Sequence, residues 1–229
     1  MLAVQRSADT DASSRALEEL CCLYWYPLYS FARRQGHSPH DAQDLTQGFF
    51  HYVVHTGLFA AADRELGKLR TFLLTTFRRY LAGVHDHDTA SKRGGHLQIV
   101  SLDVDLGEER YGNEPVDAAT PERLFERNWA LSVLRTALNE LSAIETEAGH
   151  GEHFAILAPF LSPEGEGSEN YQTVSDKLGC TQEAARQAVS RLRKKFRDFL
   201  RKQIGDTLRD PTPEQIDSEL ISLREALQS

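Results

Sequence analysis

The sequence predicts an all-α protein: two helical domains joined by an acidic linker, the C-terminal one containing a helix-turn-helix. Three observations predict it. Apolar residues recur at helical spacing along most of the chain. Helix-start signals (Ser38-Pro39, Thr120-Pro121 and Thr181) stand just ahead of those runs. The one stretch with a period of two, residues 99–106, alternates weakly and lies among glycines and acids.

Residues 15–35 read as a helix through Leu20, Leu23, Tyr24, Leu28 and Phe31, with Pro27 expected to kink or end it. Ser38-Pro39-His40-Asp41 supplies a capping hydroxyl, Pro at the first helical position and an acid in the first turn, so a second helix runs to about Val54. Residues 60–67 read as a connection or short helix. Residues 69–84 form a third helix carrying Phe72, Leu73, Phe77, Tyr80 and Leu81. Residues 94–120 read as linker. Thr120-Pro121-Glu122 restarts a helix with Leu124, Phe125, Trp129, Leu131, Leu134 and Leu138. Residues 154–161 are a further apolar piece, 162–170 a polar loop, and Ile216, Leu220, Leu223 and Leu227 mark a last amphipathic helix. The domain limits expected are 1–93, 94–120 for the linker, 121–205, and 206–229 for a helical extension.

Residues 171–204 carry the most information. Tyr171, Val174 and Leu178 repeat at helical spacing, and Gly179 ends that helix where a left-handed residue is needed. Thr181 caps the next helix, on which Ala185, Val189, Leu192, Phe196 and Phe199 share an apolar stripe about 80° wide. From Arg186 to Lys202 there are eight Arg or Lys and one acid, Asp198. Arg186, Ser190, Arg193, Lys194, Arg197 and Arg201 gather beside the stripe. A helix-turn-helix with such a face suits nucleic-acid phosphates; a solvated basic helix in a bundle is the bland alternative.

Composition bounds the partners. The net charge is −8, and residues 101–127 hold eight acids against three bases. A basic tip on an acidic body binds duplex weakly and in a salt-sensitive way by itself, which points to a partner. Three cysteines, two of them adjacent, suggest no disulfide framework, so a reducing cytoplasm is expected. No long apolar run opens the chain, so neither signal peptide nor membrane span is expected. His51 and His55 are four apart, and His85 to Asp88 alternate His and Asp, but no third ligand is set by spacing. His150 and His153 lack Cys partners, so no metal or cofactor is expected. No nucleophile–base set or phosphate loop is present, so the chain is not read as an enzyme.

Residues 41–50 read DAQDLTQGFF. Ala42, Leu45, Phe49, Tyr52 and Val53 share one side of the helical wheel. Asp41, Gln43, Asp44, Gln47 and His51 spread over the other, with Phe50 and Val54. Apolar residues interleaved with Asp and Gln outside the core stripe suit a docked partner; packing of Phe50 and Val54 on another helix of the same domain fits equally well.

These segments together resemble the extracytoplasmic-function type of sigma factor, the promoter-recognition subunits of bacterial RNA polymerase. Residues 24–35 with 41–50 resemble the family's first two helices. Residues 67–73 into 77–81 resemble its promoter-melting helix, and 171–199 its upstream-element domain. The resemblance covers most of residues 15–205. It implies that Asp41, Asp44, Gln47 and Phe50 dock on the clamp of the polymerase's largest subunit. It implies that Phe72, Phe77, Arg78, Arg79 and Tyr80 face the melted downstream (−10) element. Thr181, Gln182, Arg186, Gln187, Ser190 and Arg191 would meet the upstream (−35) duplex, while Arg193, Lys194 and Arg197 grip its backbone. The linker would thread near the active cleft of the polymerase. An anti-sigma factor is a partner by family analogy only.

The chain departs from the family pattern in three places. Gly48 replaces a helix-forming acid, at a cost of about 1 kcal/mol of helix stability. His85-Asp86-His87-Asp88 interrupts an Arg-rich run, and Ala188 stands where Arg is frequent. The departures keep two alternatives open: a stand-alone helix-turn-helix regulator, and a sigma-like polymerase-binding protein that does not open promoters.

Overall fold

The structure is a computed structural model that describes residues 20–56, 68–87, 104–112, 120–161, 171–208 and 211–228. Those residues are helical with short turns, and no strand occurs among them. The elements are α1 (20–34), α2 (Pro39–Thr56), α3 (Leu69–His87), α4 (Val104–Gly112), α5 (Pro121–Glu147) and α6 (Gly151–Leu157). A 3-10 turn (Ala158–Leu161), α7 (Tyr171–Leu178), α8 (Gln182–Asp206) and α9 (Pro213–Gln228) follow. The connection expected at 60–67, the alternation at 99–103 and the loop at 162–170 lie outside the described residues.

The helix-start signals act as the residue types dictate. Ser38 Oγ accepts the Asp41 amide at 3.1 Å, and Asp41 Oδ2 accepts the Ser38 hydroxyl at 2.6 Å. Thr120 Oγ1 accepts the Arg123 amide at 3.3 Å. Thr212 and Gln215 cap reciprocally at the start of α9, at 2.9 and 3.3 Å. Pro27 does not end α1, which stays helical across it. Tyr24, Leu28 and Phe31 on either side are buried, and that burial outweighs the lost backbone hydrogen bond.

The described residues divide into two compact units. The first holds those through Ser132, with 207–208 and 221–228. Its core joins α1, α2 and α3: the Phe77 ring sits edge-on to Phe49 at 4.9 Å and to Phe31 at 6.1 Å. The start of α5 is tied in by polar contacts. Arg70 Nε donates to Glu126 Oε2 at 2.6 Å, its guanidinium lies 4.3 Å from the Trp129 ring centre, and Asn128 Nδ2 donates to Ser30 Oγ at 2.9 Å. The second unit holds residues 133–206 and 211–220. Its core gathers Leu141, Phe154, Leu157, Phe160, Val174, Ala185, Val189 and Leu192.

The stretch expected to be linker contains α4, which packs on α2 and lays Gly107 against the Trp25 and Tyr29 rings. The apolar piece near 154–161 splits into α6 and a 3-10 turn at Ala158-Pro159, where proline supplies no backbone donor.

Candidate nucleic-acid interface

In the second unit, α7 and α8 are joined by Gly179, Cys180 and Thr181. Gly179 adopts φ +62, and its amide donates to Asp176 O at 3.3 Å while the Cys180 amide donates to Ser175 O at 3.0 Å. That pair of bonds satisfies the last carbonyls of α7 and needs a left-handed residue at Gly179. Thr181 Oγ1 then accepts the Ala184 amide at 3.2 Å and caps α8, which begins at the next residue. Across the turn Gln182 donates to the Gln172 side chain, and Gln172 donates to Asp176 at 2.8 Å.

The apolar stripe of α8 is buried at Ala185, Val189 and Leu192 and half-buried at Phe196 and Phe199, against Val174, Phe160 and Leu141. This fixes which way the charged side chains point. The eight cations fall into two sets. Lys195 Nζ donates to Glu145 at 2.5 Å, Lys202 Nζ to Glu140 at 2.5 Å, Arg201 pairs with Asp217, and Arg193 Nε donates to Phe160 O at 3.2 Å. Arg186, Arg191, Lys194 and Arg197 are exposed. At 100° and 1.5 Å per residue these four cover a face about 140° wide and about 16 Å long, with Ser190 and Gln187 between them. Arg191, Lys194 and Arg197 make no ion pair among the described residues. Arg186 lies 3.9 Å from Glu183 and 5.4 Å from the Tyr171 ring centre. Arg193, expected to grip the duplex backbone, is half-buried, and its Nε bond fastens α8 to the 3-10 turn.

The glutamates that take the remaining cations belong to α5. Burial pushes the Glu140 carboxyl up, but hydrogen bonds from Lys202 and Gln203 outweigh it and hold the carboxyl below the usual range.

In the first unit Asp41 and Asp44 on α2 are exposed, Asp44 beside His40 at 3.3 Å, and Gln47 is half-buried. Phe50, a polymerase contact by the resemblance, is 1% exposed, which agrees with the alternative that it packs within its own domain, and both α3 and α4 pack on α2. Phe77, expected to face unpaired bases, is 0% exposed and belongs to the core. The i, i+4 series Leu73, Phe77, Leu81, all buried, is the sequence signal that finds it. Phe72 and Tyr80 are half-buried. Tyr80 packs on Phe49 at 5.7 Å and Tyr52 at 5.6 Å. Arg78 and Arg79 remain exposed, Arg78 pairing with Glu122 at 3.2 Å. Gly48 has a packing reason: a Cβ there falls 2.5 Å from the Tyr80 hydroxyl.

Sequence reasoning misses the contacts that fasten α4. Arg33 Nε and Nη2 donate to the two Glu108 carboxylate oxygens at 2.7 and 3.0 Å, and the Tyr29 hydroxyl donates to Oε1 at 2.5 Å. Arg33 lies 4.9 Å from the Tyr111 ring centre, and Arg110 3.6 Å from that of Tyr26. The Arg33 hydrogen bond holds the Glu108 carboxyl below its usual range against opposing burial. Burial, then the Glu108 carboxylate, pushes the Tyr29 hydroxyl up.

No family model, curated protein or solved structure matches the chain. No helix among the described residues is long and apolar enough to cross a membrane, and none of their His, Cys, Asp and Glu side chains gather in threes.

Proposed function

We propose that the chain is a sigma-type subunit that binds core RNA polymerase and reads promoter DNA, its α7–turn–α8 segment acting as a helix-turn-helix on the upstream duplex. The observation that carries the reading is the exposed cationic face of α8, whose apolar stripe is buried while Arg186, Arg191, Lys194 and Arg197 point outward. A face about 16 Å long suits one crossing of a major groove about 12 Å wide, with Gln187 and Ser190 placed for base edges and the cations for phosphates. The two-domain reading, with polymerase bound by the N-terminal part, is supported by the DAQDLTQGFF resemblance and by the exposure of Asp41 and Asp44.

Burial of Phe77 and packing of Tyr80 favour a second reading at the downstream element, in which the protein binds polymerase but leaves promoter opening to other parts of the machine. Co-purification with core polymerase tests the first part. The wild type is retained, and Asp41→Ala with Asp44→Ala reduces retention while the second unit keeps its helical signal. Wild type passing through unretained would leave the stand-alone regulator.

A further inference from the structure

We propose that α4 is a releasable strap on the α1–α2 face, which a polymerase partner displaces when it docks. The inference rests on the polymerase-binding reading and adds to it a regulated docking surface.

Four observations carry it. First, α4 is nine residues long, about two and a half turns, shorter than a helix that holds its shape alone in water. Gly107 at its middle weakens it further. Its helicity therefore depends on what it touches. Second, directional polar contacts fasten its second half: the Arg33–Glu108 fork, the Tyr29 hydroxyl, and the two guanidinium–ring contacts. Third, Gly107 brings bare backbone rather than a side chain against the Trp25 and Tyr29 rings. Fourth, α4 packs on α2, the helix whose Asp41 and Asp44 stay exposed while Gln47 is half-buried and Phe50 buried. Asp41 and Asp44 at the start of the expected docking helix are open, while Phe49 and Phe50 are buried.

A displacing partner has to replace what α4 supplies: a carboxylate for Arg33 and Tyr29, and a cation for the Tyr26 face. A helix of a clamp-like coiled coil can carry both, with the Trp25–Tyr26–Tyr29 band as its apolar seat. When the binding-competent state is only partly populated, apparent affinity falls by that fraction, so loosening α4 strengthens docking and tightening it weakens docking.

Two variants of the full chain push in opposite directions, and neither touches Asp41, Asp44 or Gln47. Glu108→Ala removes the fork. Gly107→Ala adds a Cβ at 3.5 Å from Tyr29 and 3.7 Å from Trp25, ordinary contact distances, and strengthens the helix. Hydrogen exchange without polymerase reads release directly. In Glu108→Ala, the amides of α4 exchange about tenfold faster or more while those of α1 and α2 keep their protection. Parallel loss in all three helices would make α4 part of the core and overturn the proposal. Titration with core polymerase reads the consequence: about threefold tighter binding or more for Glu108→Ala, and weaker than wild type for Gly107→Ala. Unchanged affinities, or shifts of the same sign, also overturn it. If wild type and both variants all fail to bind polymerase, it is the polymerase reading that falls, and the exchange result still decides whether α4 detaches.

Discussion

The division of the α8 cations into two sets makes the salt dependence of DNA binding calculable. If only Arg186, Arg191, Lys194 and Arg197 meet phosphates, four counterions leave the duplex on binding. The slope of log K against log salt is then about −3.6. Raising salt fourfold, from about 50 to about 200 mM, should weaken binding roughly 150-fold on that slope. Lys194→Ala with Arg197→Ala halves the slope to about −1.8, so the same change of salt costs only about 12-fold. Lys195→Ala and Lys202→Ala should leave the slope alone, because those ammonium groups already pair with Glu145 and Glu140. Fluorescence anisotropy on a labelled duplex across that salt range measures every term. A wild-type slope near −7, or a shallower slope for Lys195→Ala, would show that the paired cations also reach phosphate and would refute the division.

Phe50→Ala should destabilise the first unit by about 3–5 kcal/mol in urea unfolding, the cost of emptying a buried aromatic site, rather than act as a clean surface variant. Gly48→Ala should destabilise by about 1–3 kcal/mol despite its better helix propensity, because the new methyl meets the Tyr80 hydroxyl. In a Tyr80→Phe background the same change should become neutral or stabilise by up to about 1 kcal/mol, and a double-mutant cycle showing no coupling would remove that contact as the cause. The Glu108 carboxyl has a lowered folded pKa, so its contribution is present above its ordinary value, about 4.3, and is lost as pH falls through the depressed one. Exchange protection of α4 should therefore hold from pH 7 to about 5 and fail at more acid pH; loss already near pH 6 would point to another group.

Much of this architecture was legible because it is written locally. Ser38, Thr120 and Thr181 each accept the amide three residues on, and Gly179 takes the left-handed turn its position demands. The α8 stripe follows from spacing alone. What escaped is written between distant segments. The residues of α4 are acidic and glycine-bearing and read as linker, whereas its helix is held through Arg33, Tyr29 and Tyr26, all more than 70 positions away. The wheel leaves Phe50 open to either a partner or its own domain, and its burial is decided by residues distant in sequence. Arg193 and Arg201 share the wheel face of Arg186, Lys194 and Arg197, and Lys195 and Lys202 belong to the same basic run. Charge counting cannot see the acceptors on α5, on the 3-10 turn and on α9 that hold them.

Run-off transcription by core polymerase supplied with this chain, on templates selected by binding to the reconstituted complex, tests the promoter-reading role most directly. RNA with a fixed start point is expected, and it disappears when Arg186, Arg191, Lys194 and Arg197 are all changed to Ala, with polymerase still bound. Transcription that persists undiminished without those four side chains would contradict it, because the outward face of α8 would then have no part in choosing where RNA begins.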